Sequence, residues 1–199
     1  MANMQALKER IQAEGRNLGS GILKIDSLLN HQLYPDLMYR MGEEMAQRFS
    51  GVKVDRILTA EISGIAPALM TGYVMKVPVV YARKLKPITM SGPVFLETAP
   101  SHTKGGEVNL LVSAEFLLPD QDVLIIDDFL ATGQTLRALV RMVESAQSRV
   151  AGVGVVVEKT FEGGRAFMRA KGYAHLPVEA LCTIVSMENG TIQFSEDEV

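Results

Sequence analysis

A chain of 199 residues with 47% hydrophobic content is long enough for one domain with a sizeable core, and its net charge of −3 gives no overall pull toward nucleic acid or an anionic membrane. The single cysteine, Cys182, excludes an intramolecular disulfide and fits a reducing compartment; its apolar neighbours in EALCTIV predict a buried, inert thiol. No stretch approaches the roughly 20 apolar residues of a membrane span, and MANMQALKERIQAEG is charged and lacks a signal peptide's apolar centre, so a cytoplasmic location is expected.

After the amphipathic N-terminal stretch, GRNLGSGILKIDSLLNHQL (15–33) mixes glycines, apolar and polar residues and fits no regular alternation. Tyr34, Met38, Met41, Met45 and Phe49 then form a helical stripe, read as core. Short β-branched runs follow: VDRILTA (54–60), VPVVYA (77–82), VNLLVS (108–113), DVLIID (122–127) and GVGVVVE (152–158). Near-continuous apolar runs of this kind are what a parallel sheet covered on both faces requires. Leu136, Leu139, Val140 and Val143 supply a helix between two of them. Strands alternating with helices predict an α/β fold with a mainly parallel sheet. The Pro- and Gly-rich segment from Lys84 to about Glu107 is too long for an ordinary connection and reads as a lid. The strand-like VFLETA inside it leaves a β-hairpin as the alternative.

The chemistry concentrates in VLIIDDFLATGQT (123–135). An apolar strand ends in Asp127 and Asp128, and Ala131-Thr132-Gly133-Gln134-Thr135 then opens an amphipathic helix. A turn feeding a helix N-terminus offers unpaired backbone N–H groups and the positive end of the helix dipole. Gly133 admits close approach, and Thr132 and Thr135 add hydroxyls, which together make a cradle for a monophosphate. The neighbouring carboxylates would repel a phosphate but accept hydrogen bonds from sugar hydroxyls or support a metal ion. Phosphate at one end and a diol at the other describe a ribose 5-phosphate. The chain has neither a G-x-x-x-x-G-K-[ST] loop nor a G-x-G-x-x-G fingerprint, which sets aside P-loop and dinucleotide-binding readings. An ordinary helix cap explains one polar residue but not two adjacent acids.

VLIIDDFLATGQT resembles the motif by which type I phosphoribosyltransferases bind phosphoribosyl pyrophosphate (PRPP): four apolar residues, two acids and a T-G-x-T loop, with Gln134 where a second glycine is common. ILKIDSLLNHQLYP, EISGIAPALMTG, VPVVYARK and VVVEKTF follow the order of the family's xanthine-using members, and the likeness covers essentially the whole chain.

The resemblance implies one domain over residues 1–199, with a mainly parallel central sheet flanked by helices. It also implies a small hood built from residues of about 15–35 and the C-terminus, and a flexible lid over about 84–107. The implied activity is transfer of ribose 5-phosphate from PRPP to xanthine with release of pyrophosphate, Mg2+ being carried by PRPP and pyrophosphate. Asp127 and Asp128 take the part of catalytic carboxylates on the ribose hydroxyls, and Ala131, Thr132, Gly133, Gln134 and Thr135 that of the PRPP 5-phosphate site. Leu23, Asn30 and Lys159 match positions that contact the base; an ammonium at Lys159 suits an oxopurine carbonyl and disfavours adenine's amino group.

Residues 61–65, Glu-Ile-Ser-Gly-Ile, look like the family's pyrophosphate loop, with a plain helix start as the alternative, and Arg83 and Lys84 are candidate counter-charges or a solvated basic pair. Phe161 is read as a core aromatic, with stacking on the base as the alternative, and His31 as structural. The resemblance further implies a homodimer and no nucleic-acid or membrane partner. Guanine or hypoxanthine specificity and a PRPP-sensing regulator are the alternative functions. Hypoxanthine-guanine members carry an aspartate where this chain has Ala131, so the turn supplies no general base.

Overall fold

Strands apolar on both faces need cover on both, and the chain supplies it by wrapping helices over a parallel sheet. The structure, a computed structural model, describes residues 4–100, 106–188 and 190–195. Helix α1 (Gln5–Glu14) buries Leu7 and Ile11. A small antiparallel hairpin, β1 (Arg16–Asn17) with β2 (Leu23–Lys24), and a π-helical turn over Asp26–Asn30 follow. Helix α2 (Pro35–Arg48) starts on a proline, whose fixed φ suits a first helical turn, and buries Met38, Met41 and Met45 of the expected stripe. Next come β3 (Arg56–Ala60), α3 (Ile65–Met75), β4 (Val79–Ala82), β5 (Val94–Pro100) and β6 (Glu107–Ser113). The chain continues with β7 (Asp122–Leu130), α4 (Gln134–Ser145), β8 (Arg149–Lys159), α5 (Gly164–Met168), β9 (Val178–Ser186) and β10 (Gln193–Phe194).

The main sheet runs β10-β9-β8-β7-β3-β4, with β10 antiparallel to β9 and every other pair parallel. Side chains alternate across it: Leu124 and Ile126 of β7 join the core with Met41, Met45 and Phe49, whereas Val123 and Ile125 join the core with Leu139 and Val143 of α4. The order of connection reverses between β3 and β7. In open α/β sheets the crevice beyond the carboxyl ends of two such strands is where ligands bind.

Strand β7 extends further than its sequence suggests. Its pairing with β3 ends at Leu58 opposite Ile125, yet it runs on beside β8 as far as Leu130. Asp127 and Asp128 therefore lie within the strand and not at its end. Because the pairing with β3 ends before them, the crevice opens beside the two acids.

Of the segment read as a lid, residues 94–100 pair along their whole length with β6, from Val94 opposite Ser113 to Pro100 opposite Glu107. Residues 84–93 form irregular turns, with Met90 N donating to the Pro87 carbonyl at 3.0 Å, and residues 101–105 lie outside the described residues. The hairpin joins the sheet edge through an Arg83–Leu111 bridge and rests on α4, where Arg141 Nε donates to Glu97 Oε1 at 3.0 Å. The N-terminal hood meets the C-terminal part of the chain: the Asn17 amide donates to the Met187 carbonyl, and Lys8 Nζ lies 5.9 Å from the Phe194 ring centroid. Cys182 is buried, as its neighbours imply.

Candidate active site

The turn after β7 is shaped by Gly133, the N-cap of α4, which sits at φ 81° in the left-handed region. A Cβ there would meet Gly164 O at 3.0 Å and Phe167 Cδ1 at 3.1 Å, so conformation and space both demand glycine. No side chain caps α4, so the N–H groups of its first turn have no capping side chain as acceptor, and Gln134, Thr135 and Leu136 of that turn line the cleft. The N-cap is Gly133 and not a polar side chain, so no Thr132 hydroxyl is spent on capping the helix.

Asp127 is buried and Asp128 partly so. Burial, reinforced by the charge of Asp128, holds the Asp127 carboxyl well above the ordinary aspartate value of 3.8. Burial also raises Asp128, against the pull of the Phe129 N–H, which donates to its Oδ1 at 2.8 Å. The pair favours a cationic or hydroxyl-bearing neighbour. Across the crevice, Gly64 carries the turn after β3 past Asp127; a Cβ at Gly64 would lie 2.3 Å from Thr59 Oγ1 and 3.0 Å from Asp127 Oδ1. The Glu61–Ile62 peptide of this turn is cis. Glu61 ties the turn to the end of β4: its Oε1 accepts from Lys84 N at 2.7 Å, and its Oε2 lies 3.7 Å from Arg83 Nε.

At the other end of the cleft, Lys159 closes β8 with a buried side chain whose Nζ donates to the Gly21 carbonyl of the hood at 2.7 Å and to Glu162 Oε1. Asn30 ends the hood's π-helical turn; its Oδ1 accepts from Ser63 Oγ at 2.5 Å and its Nδ2 donates to Asp26 Oδ1 at 3.3 Å. Hood and crevice are thus bonded at two points.

One cleft of about 350 Å³ gathers every residue assigned from the sequence: Leu23, Asn30 and Lys159, the acids Asp127 and Asp128, and the whole turn from Ala131 to Thr135. Glu61, Ser63, Gly64 and Lys84 line it too, whereas Arg83 and Phe161 do not. Phe161 is 44% exposed, with its ring edge against Gly21, so it is neither a core residue nor part of the cleft wall. His31 is exposed beside the hood turn. The cleft thus holds an anion cradle, a carboxylate pair, a second backbone turn with a lysine, and a directed ammonium.

The family model of the phosphoribosyl transferase domain matches residues 29–197. The chain belongs to that family. The xanthine phosphoribosyltransferase of Deinococcus deserti is 50% identical over 187 residues, which is 94% of this chain and 95% of that protein. The protein of the same name from Listeria monocytogenes is 44% identical over 195 residues, 98% of this chain and 100% of its own. Among solved structures, the adenine phosphoribosyltransferase of Rhodothermus marinus superposes with a TM-score of 0.72 at 25% identity, over 92% of this chain and 100% of that one. The APRTase of Giardia lamblia complexed with 9-deazaadenine has a TM-score of 0.74 at 19% identity, over 94% and 100%, and is alike in fold.

Some parts of this phosphoribosyl transferase cleft escape a reading of the sequence. Ala99, Pro100, Val108 and Leu110 of the β5–β6 hairpin form one wall, and Phe129 and Leu130 contribute from the extended end of β7. The strand-like VFLETA signalled the first group. Glu162, which does not line the cleft but holds Lys159, carried one local signal, an acid three residues after a lysine at a strand end.

Proposed function

We propose that the protein is a purine-salvage enzyme that converts xanthine and PRPP into xanthosine 5′-monophosphate (XMP) and pyrophosphate. The observation that carries this reading is the convergence of the Ala131–Thr135 turn, Asp127, Asp128 and Lys159 in one cleft at the reversal point of the sheet. The xanthine phosphoribosyltransferases at 44–50% identity over nearly the whole chain support the choice of base.

In this reading the 5-phosphate of PRPP sits on the N–H groups of the 131–135 turn. The ribose hydroxyls bond to Asp127 and Asp128, and the pyrophosphate, with the Mg2+ it carries, lies toward the 61–64 turn and Lys84. The purine nitrogen attacks the anomeric carbon as the bond to pyrophosphate breaks, through a transition state with positive charge on the ribose. Two carboxylates beneath the ribose stabilise that charge, and positioning supplies much of the rest. Lys159 donates to an acceptor on the base, and the Asn30 amide reads a second exocyclic group by leaving Asp26 or Ser63. The 84–107 segment, with the β5–β6 hairpin as its scaffold, covers the cleft against water.

The protein acts as a homodimer in the cytoplasm. A face of α2 and α3 supports the dimer: Tyr39, Leu69 and Tyr73 are 42%, 52% and 70% exposed, and the two tyrosine rings meet edge to face at 6.5 Å. Among the described residues no helix is long and apolar enough to cross a membrane.

Pyrophosphate release from Mg-PRPP, measured separately with xanthine, guanine, hypoxanthine and adenine, tests the function. Fast release with xanthine supports the reading. Preference for guanine or hypoxanthine replaces its base specificity, and binding of PRPP without release with any base makes the protein a regulator.

A further inference from the structure

We propose that Glu162 is a positioning residue that fixes which atom of the base Lys159 reads, an inference that rests on the reading of Lys159 as a base contact. Lys159 is the last residue of β8, and the single 3-10 turn Thr160–Glu162 follows it before Gly163, at φ 74°, turns the chain away. In such a turn side chains three residues apart fall above one another. Glu162 therefore returns over Lys159, and the two form an ion pair whose side chains are only 13% and 6% exposed.

The ammonium has three N–H donors and no acceptor. One is held by the Gly21 carbonyl at 2.7 Å and another by Glu162 Oε1. With two directions fixed by the hood and by Glu162, tetrahedral geometry fixes the third, and Lys159 lines the cleft. A lysine on a flexible stem would follow either a donor-poor or a donor-rich edge; one clamped at two corners presents a single donor in one place. It then donates to a carbonyl oxygen or an unprotonated ring nitrogen and finds no acceptor in an amino group. The clamp is closely fitted: Gly21 lies at φ 75°, and a Cβ there would come within 3.0 Å of Glu162 Oε1. The Phe129 ring, 5.7 Å from Nζ, closes another side. Glu162 does not line the cleft, so its effect on the base passes through Lys159.

Steady-state kinetics of Glu162→Ala, Glu162→Gln and Lys159→Met, with base and PRPP varied separately, test the proposal. The expected result is a rise of about 10- to 100-fold in the KM for xanthine in Glu162→Ala, the size of a lost hydrogen bond to a charged group. The KM for PRPP stays near wild type, and the preference for xanthine over adenine shrinks. Glu162→Gln, which keeps the acceptor but loses the charge, recovers part of the loss. Because a merely structural defect would move both KM values together, a parallel rise in the two overturns the proposal. If Glu162→Ala does not fold, Glu162→Gln alone decides: a raised xanthine KM supports the clamp and a wild-type one overturns it. A wild-type xanthine KM in both Glu162 variants, alongside a raised one in Lys159→Met, refutes the clamp and leaves Lys159 as the base reader. A wild-type xanthine KM in Lys159→Met removes the base reader itself, and the clamp with it.

Discussion

Asp127 carries opposing demands at the scale of one side chain. Burial and the charge of Asp128 raise its carboxyl above the ordinary value of 3.8, so the ligand-free fold favours its neutral form. The stability gained from that form is complete below the ordinary aspartate range and is lost as pH rises through the raised value. At neutral pH the free protein therefore bears the cost of a group kept for the ribose. Asp127→Asn should raise the melting temperature of the ligand-free protein at pH 7, by about 2–4 °C per kcal/mol released, and the gain should vanish below about pH 4. The same variant should lose about 100-fold or more in kcat, as expected for removal of a charge aimed at the transition state; thermal melts at two pH values and a rate assay check both. Ala131 carries a second prediction. With no carboxylate in the turn to take the purine proton, the expectation is that xanthine reacts as its anion, so kcat/KM should rise with pH through the ionisation of the base; a flat profile there would contradict it. These positions were legible because the T-G-x-T turn and the paired acids are local in sequence. The clamp on Lys159 was not, because its partner Gly21 is 138 residues away along the chain.

At the scale of elements, the apolar runs located β3, β4, β7 and β8 but not β9, and VNLLVS, read with the parallel strands, forms β6 of a separate antiparallel hairpin; the misreadings fall where context overrides local pattern. Phe129 and Leu130 read as the approach to a turn, yet pairing with Val157 and Glu158 of β8 keeps them extended. Around β5 the prolines and glycines say loop; the strand-like VFLETA kept a hairpin open, and the ladder with β6 makes it one. Helix contacts are equally non-local. Gly42 of α2 is pressed on α3 so closely that a Cβ would lie 2.6 Å from the backbone carbon of Met70. Gly42→Ala forces the two helices apart and should cost about 1–3 kcal/mol, the usual range for overpacking, measured as a lower denaturation midpoint at unchanged slope. A midpoint equal to wild type would mean that the helices separate freely. Because α3 begins at the 61–64 turn, the KM for PRPP should rise with the strain.

At the scale of the whole molecule, the doubly covered sheet was written in its apolar runs, but the closure of the chain on itself was not. The hood bonds to the C-terminal region through Asn17 and Met187, 170 residues apart, and to the crevice through Asn30 and Ser63. These contacts join the far ends of the sequence over the base end of the cleft. The apolar face of Tyr39, Leu69 and Tyr73 extends the same logic beyond one chain, and sedimentation should find a two-chain species that Tyr73→Glu shifts toward monomer. A wild-type monomer would instead leave that face without the proposed partner. The central claim is that this cleft transfers phosphoribosyl groups to xanthine. It is tested most directly by a competition: PRPP, Mg2+ and equal amounts of xanthine, guanine, hypoxanthine and adenine in one reaction, with the nucleotides separated and measured. XMP is the expected dominant product. Dominance of GMP, IMP or AMP, or no nucleotide at all, would contradict it.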